Sequence, residues 1–306
     1  MSAHTDVVQV VIVTFNRAEY LRKCLAALVA QTYPISQITV VNNCSTDHTT
    51  QVLDEVAATG VPVTQHSTKS NLGGAGGFAL AFELAKKQNS DWVWVMDDDV
   101  EPEPNCLAQL LAASEGYAVV QPNRYNDDDD FLEIYRKVNI TNPLSSMFQL
   151  PCRLRRADRD LNEDIGFFPF EGPLIRKSML DSLDLPRAEY FLFCDDVEYS
   201  VRVSKAGGRI RLCGAALMRR MIHPVADINF NWRNYFDFRN RIWLDQTHGG
   251  LIFSWVRGTL WLLWQWFTCM RRGRDRMSYY IVWSGTVDGL MGRKKTLEDV
   301  IGQFAR

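Results

Sequence analysis

Trp92-Val-Trp-Val-Met96 is the most apolar short run in the first half of the chain, and three aspartates, Asp97-Asp98-Asp99, end it. Consecutive β-prone residues of this kind read as a buried strand. Carboxylates at its carboxyl end stand on the rim of a sheet, where open α/β folds place ligands. Adjacent carboxylates repel one another and raise each other's pKa unless a cation is shared among them. Side chains alternate along an extended backbone, so Asp97 and Asp99 point one way and Asp98 the other. Oxygen-only ligation suits Mg²⁺ or Mn²⁺, with phosphate and water completing the shell. A solvated acidic turn is the plain alternative.

The segments around this strand alternate in period. Val7 to Phe15 reads as a central strand and Ala18 to Ala30 as a helix. Ile38 to Val41 is a second strand, followed by the polar turn Asn42 to Asp47, a helix from Thr49 to Ala58 and a strand from Val61 to His66. A helix is expected from Phe78 to about Gln88, another from about Asn105 to Ala113, and a strand over Tyr117 to Gln121. Such alternation predicts an α/β fold with a mostly parallel sheet and right-handed crossovers. The pattern dissolves between Pro122 and about Asp164, where Asp127 to Asp130 reads as a solvated loop. It returns in Gly166 to Ile175, in Tyr190-Phe-Leu-Phe193, read as an aromatic strand, and in a helix from about Asp195 to Ala206.

Composition narrows the classes of function. With a net charge of −2 over 306 residues, nothing draws the whole chain to nucleic acid, and an anionic partner must meet a local patch. Seven scattered cysteines without a C-x-x-C pair point to a reducing compartment and away from zinc or a disulfide framework. The polar start leads straight into a strand without a signal peptide, so the expected location is cytoplasmic.

Four other constellations carry chemical possibilities. Gly73-Gly74-Ala75-Gly76-Gly77 fits neither a P-loop nor a dinucleotide fingerprint, yet it opens a helix where backbone N–H groups can approach a pyrophosphate or a sugar. A plain flexible turn explains the same glycines. Asp195-Asp196 begins a helix; capping accounts for one, and a carboxylate with an apolar wall can act as a general base toward a sugar hydroxyl. Arg202, further along that helix, reads as a helix-face ion pair. His223 follows and could supply a nitrogen ligand, although a lone histidine is more often structural. Trp232 to Trp243 sets Arg233, Arg239 and Arg241 among aromatics, a pattern suited to bidentate phosphate contact.

Taken in order, these segments resemble a family 2 glycosyltransferase with the GT-A fold, over about Val7 to Leu244. Val-Thr-Phe-Asn-Arg17 resembles the opening nucleotide-binding strand, and Val-Val-Asn-Asn-Cys-Ser-Thr-Asp47 the second-strand turn, with Asn42 where that family usually has aspartate. Asn71-Leu-Gly-Gly-Ala-Gly-Gly-Phe78, Met-Asp-Asp-Asp-Val100, Phe170-Glu-Gly-Pro-Leu174 and Phe193-x-Asp-Asp-x-x-Tyr199 are similar to bacterial galactofuranosyltransferases that extend a galactan on a lipid carrier. A rhamnosyltransferase using dTDP-rhamnose is the near rival, and a non-catalytic nucleotide-sugar-binding assembly protein the rival from another class. No Q-x-x-R-W motif is present, which speaks against a processive synthase.

The resemblance implies a UDP-sugar donor held by Thr14, Asn16, Arg17, Asn42, Asn43 and Asp47 together with Asn71, Gly73, Gly74, Asp97 and Asp98. It implies Mn²⁺ or Mg²⁺ on Asp97, Asp99 and His223, and inverting transfer with Asp196, beside Asp195, as base. Gly76, Gly77, Glu171, Gly172, Trp232, Tyr235 and Arg239 are expected to face a lipid-linked glycan acceptor. The implied organisation is a GT-A domain over 1–247, split into a nucleotide-sugar half (1–121), a variable loop region (122–165) and an acceptor half (166–247).

Residues 248–306 form a helical tail. Leu251 to Met270 has the length of a bilayer span but is interrupted by Arg257, Gly258 and Gln265, and Arg271, Arg272, Arg274 and Arg276 follow it. Tryptophans with trailing arginines suit a helix lying in the headgroup layer on the inner face of the cytoplasmic membrane. Packing on the protein's own core, or in a homo-oligomer interface, is the alternative.

Overall fold

The computed structural model describes residues 5–126, 133–134, 137–148, 152–153, 161–222 and 228–304. β1 (Val8–Thr14) is buried along its whole length. α1 (Ala18–Val29), β2 (Gln37–Asn42), α2 (Thr49–Ala58) and β3 (Val63–Ser67) follow, and β3, β2 and β1 lie parallel side by side. α3 (Gly73–Lys86) crosses to the other side of β1, where β4 (Trp92–Asp97) pairs parallel with Val13 opposite Asp97. The chain then turns at Asp98-Asp99 into β5 (Val100–Pro102).

Beyond β4 the sheet is mixed. α4 (Cys106–Ala112) leads to β6 (Val119–Tyr125), and β7 (Glu133–Ile134) with β8 (Cys152–Arg153) makes a separate antiparallel pair. After β9 (Asn162–Asp164), β10 (Leu174–Arg176) inserts antiparallel between β4 and β6. α5 (Lys177–Ser182) and α6 (Asp195–Lys205) precede β11 (Ile210–Arg220), which runs parallel to β6 and carries β5 and β9 antiparallel. The resulting order is β3-β2-β1-β4-β10-β6-β11-β5.

Strand alternation divides the apolar residues between two cores. Val10, Ile12, Trp92 and Trp94 face α1 and α4 through Leu21, Leu25 and Leu107. Val11, Val13, Val93 and Val95 face Phe78 and Phe82 of α3, with Phe168, Phe170 and Tyr199 beyond. A third core joins α7 (Trp232–His248) to α9 (Arg276–Leu290) and α10 (Leu297–Phe304) through Tyr235, Phe236, Ile281, Val282 and Phe304. α8 (Leu251–Arg271) packs beside α7 and α9. Among the described residues, no helix is long and apolar enough to cross a membrane.

Two local expectations change. α3 begins at Gly73, not Phe78, so the glycines lie within its first turns. A Cβ on Gly77 would stand 2.5 Å from Val13 Cγ1, so this glycine lets α3 press against β1; one on Gly76 would stand 2.7 Å from Leu72 Cβ, in the turn that enters the helix. Nor is Tyr190–Phe193 a strand: Ala188–Tyr190 is one 3-10 turn, and Phe191 and Phe193 have positive φ. Tertiary packing overrides the β-propensity of the aromatics. Tyr190 meets Trp243 edge-on, while Phe191 stacks on Phe236 at 4.9 Å. The run Asp127–Asp130 and the candidate ligand His223 lie outside the described residues.

Candidate active site

At the carboxyl ends of β1 and β4, polar side chains converge. Thr14 Oγ1 donates to Asp98 Oδ2 at 2.7 Å, and Arg17 Nη1 donates to Asp98 Oδ1 at 3.1 Å and Asp99 Oδ2 at 3.3 Å. Both oxygens of Asp98 are therefore engaged by the chain itself, and it acts as a brace for the rim. Asp99 Oδ1, by contrast, is buried and makes no hydrogen bond. Burial pushes Asp98 up to about 6 against the pull of Arg17 and Thr14. Burial, then the charges of Asp99 and Glu171, hold Asp97 well above the usual carboxylate range. Asp99 is raised by burial and Glu171, with Arg17 and Arg220 opposing.

The turn after β2 has two jobs. Asn42 faces inward, its Oδ1 accepting from Ser45 N at 3.0 Å. Asp47 accepts from Ala18 N at 3.0 Å and from Thr49 N at 3.1 Å, tying the starts of α1 and α2 together. These two residues shape the turn and do not line the cleft. Asn43 does line it, donating to Gly73 O at 3.0 Å and Asn71 Oδ1 at 3.2 Å and accepting from Leu72 N at 2.9 Å. Gly73 has φ +71°, and a Cβ there would strike the carbonyl oxygen of Phe191 from the facing wall.

That facing wall is held by buried polar groups. Glu171 pairs with Arg124, and with Arg220 at 3.6 Å. Burial alone would raise its carboxyl; the two arginines outweigh that and hold it below the usual range. Asn240 Nδ2 points at the carbonyls of Tyr190, Leu192 and Phe193, at 2.8, 2.7 and 2.9 Å. Arg239 Nη2 donates to the carbonyls of Glu189 and Tyr190 at 2.9 and 3.0 Å, and its guanidinium lies 4.1 Å over the Trp243 ring. Together they fix a backbone with φ 62° at Phe191, 65° at Phe193 and 66° at Cys194. Positive φ at bulky residues costs about 1–3 kcal/mol each and persists only where the surroundings over-determine it. Asn16, on the rim after β1, also has positive φ, at 52°, and its Oδ1 accepts from Thr46 N at 2.7 Å.

The strained segment delivers Asp195 and Asp196 to the start of α6. Burial pushes Asp195 up to about 6, with backbone amides pulling the other way. Burial, then Asp195 and Glu171, lift Asp196 well above the usual carboxylate range. Glu171 thus raises the proton affinity of Asp97 and Asp99 on one side and of Asp196 on the other.

The two walls enclose a cleft of about 650 Å³. On the rim side it takes in Thr14, Asn16, Arg17, Asn43, Asn71, Gly73, Gly74 and Asp97 to Asp99; opposite lie Glu171, Asp195, Asp196 and Trp232. Several residues expected at an acceptor do other work. Gly76 and Gly77 pack α3, and a Cβ on Gly172 would lie 2.6 Å from Met218 Sδ. Tyr235 donates to Asp288 inside the third core, and Arg239 is a buried brace. Arg202 pairs with Glu198 along α6, as its spacing suggests. Arg220, Arg233 and Arg241 also line the cleft; the sequence pattern offered Arg233 and Arg241 for phosphate contact and passed over Arg220. It also passed over Asn240, whose signal is an amide one turn from Phe236 and Trp243 on the buried side of α7. Among the described residues, no group of three or more His, Cys, Asp or Glu is set to hold a metal ion.

The glycosyl transferase family 2 pattern matches residues 9–184. Galactofuranosyltransferase GlfT1 of Mycolicibacterium smegmatis is 30% identical over 261 residues, covering 79% of this chain and 83% of that protein. The chain belongs to glycosyl transferase family 2. It is a galactofuranosyltransferase-like member, and a glycosyltransferase by that membership. GlfT2 of the same organism is 26% identical over 297 residues, and the chain spans 44% of its length. Among solved structures, GalNAc-T7 with UDP, GalNAc and Mn²⁺ aligns with a TM-score of 0.59 at 14% identity, over 79% of this chain and 50% of that one. TarS 1–349 of S. aureus with UDP aligns at 0.56 and 14% identity, over 83% and 70%. These structural likenesses establish the α/β GT-A fold.

Proposed function

We propose that this glycosyltransferase moves galactofuranose from UDP-galactofuranose to a lipid-linked glycan, with inversion and with a divalent cation, in bacterial cell-wall or O-antigen galactan synthesis. The observation that carries the reading is Asp196, a carboxyl of raised proton affinity sharing one cleft with Arg17 and the Asp97–Asp99 rim. In this reading Asp196 takes the proton of the acceptor hydroxyl as that oxygen attacks the anomeric carbon, and Asp195 holds the helix start that orients it. Asn43, Asn71, Gly73 and Gly74 face the nucleoside, Arg17 with Arg220 and Arg233 faces the diphosphate, and Glu171 with Trp232 faces the acceptor.

Asp97 and Asp99 would hold Mn²⁺ or Mg²⁺. The fit rests on the buried, unpartnered Oδ1 of Asp99 and on two carboxyls that burial drives toward neutrality, both of which a cation would relieve. His223 enters as a third ligand through family resemblance alone. When bound, the ion supplies positive charge where negative charge gathers on the departing nucleotide.

α8 and α9 are read as the part that rests on the cytoplasmic membrane face. Leu263, Trp264, Phe267 and Met270 are exposed along α8, and Arg271 and Arg272 end it. Removing residues 251–306 is expected to abolish vesicle flotation; unchanged flotation would refute that attachment.

A donor panel tests the transfer. UDP-galactofuranose and dTDP-rhamnose are each supplied with Mn²⁺ or Mg²⁺ and a short lipid-linked glycan, and released nucleotide and product are measured. UDP release coupled to product is expected. Turnover of dTDP-rhamnose in its place assigns the other sugar, and no release from either donor supports a non-catalytic assembly protein.

A further inference from the structure

A second pocket, of about 420 Å³, opens between α7, α8 and residues 143–147. That volume lies in the range of about 300–1,000 Å³ typical of small-molecule sites. Its walls are mainly apolar, with Leu144, Met147, Ile242, Leu260, Trp261 and Trp264. One ion-paired bridge ties the three walls together: Arg257 of α8 donates to Asp245 of α7 at 2.7 Å and to the carbonyl of Asn142 at 2.6 Å. Among the pocket residues, Asp245 Oδ2, Arg257 Nε and Trp261 Nε1 are buried polar atoms without a hydrogen-bond partner. These atoms lie inside the walls, and the charged side chain the pocket offers an occupant is Arg241, 24% exposed and paired with Asp237 at 2.9 Å; apolar walls with a cation on one side suit an amphiphilic occupant.

Position selects the kind of amphiphile. Arg241 lines both this pocket and the cleft, lying 4.9 Å from the ring of Phe148, a cleft residue, and 5.3 Å from the ring of Trp261, a pocket residue. On its far side the pocket runs out onto α8: Leu260 and Trp264 belong to it, and Leu263, Phe267 and Met270 continue the same exposed stripe at helical spacing. A molecule whose polar end lies at Arg241 and whose apolar chain leaves along α8 would therefore reach from the edge of the cleft to the exposed stripe with its chain against apolar side chains.

We propose that this pocket binds the prenyl or alkyl phosphate portion of the lipid-linked acceptor, an inference that rests on the transfer reading above. It assigns Leu260, Trp261 and Trp264 to lipid recognition, a role separate from the sugar-binding cleft.

The test is calorimetric titration of the full chain with farnesyl phosphate, alongside farnesol and inorganic phosphate. Saturable binding of farnesyl phosphate is expected, persisting in saturating UDP and weakened at least tenfold in Leu260→Glu and in Trp264→Glu. Both positions are about half exposed, so both variants should fold. Ile252→Glu, on α8 but outside the pocket and 83% exposed, should bind like the unaltered protein. No saturable binding, full competition by inorganic phosphate, or unchanged affinity in both pocket variants would overturn the proposal. Unchanged affinity together with loss of a dimer in Leu260→Glu would assign the surface to a second copy of the chain. Because no sugar donor is present, a protein that binds farnesyl phosphate yet releases no nucleotide from any donor would refute only the transfer reading. One that transfers sugar but does not bind the lipid phosphate would refute only this pocket.

Discussion

On the rim formed by β1, β2 and β4, Thr14, Asn43 and Asp97 stand at the last strand position or one beyond it. Parallel pairing carries them to a common edge with little help from other side chains. The opposite wall has no such backbone logic. Glu171 comes from one segment and Phe191–Cys194 with Asp196 from another, secured by Arg124, Arg220, Arg239 and Asn240. A rim built from strand ends concentrates its sensitivity in groups that face the ligand, whereas an assembled wall also depends on buried residues that never touch it.

The sharpest way to break this contrast is to remove the ion from the rim. EDTA is expected to abolish transfer, and added Mn²⁺ or Mg²⁺ to restore it; full turnover in EDTA would leave the three aspartates with a purely structural role. Next comes the proton acceptor of the other wall. Asp196→Asn should lower kcat by about 10²–10⁴-fold while UDP affinity and Tm hold, and near-normal turnover would remove Asp196 from the base role. The pH profile sharpens the same point. Burial and neighbouring negative charge favour the protonated form of Asp196, so the base form exists only above its raised pKa. The expected kcat/KM declines about tenfold per pH unit below that value, on a limb above the ordinary carboxylate pKa of about 3.9. A flat profile down to pH 4 contradicts the assignment.

Smaller effects separate supports from contacts. Asn240→Ala unpairs buried carbonyls and should cost about 1–3 kcal/mol of stability, with kcat falling and UDP affinity retained. If thermal denaturation shifts while kcat holds, the 190–194 segment keeps its shape without Asn240. Gly77→Ala forces a Cβ against Val13 and should cost about 1–3 kcal/mol with acceptor KM unchanged. A raised acceptor KM at unchanged Tm would return Gly77 to the acceptor site.

Legibility followed the same division. The run into Asp97, the polar turn after β2 and the glycines that open α3 could be placed because strand period and turn chemistry are local properties. Even there, only the hydrogen bonds separate Asn43, which lines the cleft, from Asn42 and Asp47, which brace the turn. On the far wall, the aromatic run at Tyr190 carried a strand-like signal that packing against α7 overrode. Tyr235 and Arg239 looked like ligand contacts because aromatic and cationic side chains serve recognition and internal bracing equally well.

The order of β1 to β4 with the helices between them, their parallel pairing and the acidic strand end were determined by the sequence alone, since each depends on residues close together along the chain. Which polar groups meet across the cleft was decided by the tertiary structure. A carboxylate or guanidinium takes its role from burial and from partners some 50 to 80 residues away, as Arg124 does for Glu171 and Arg17 for Asp98.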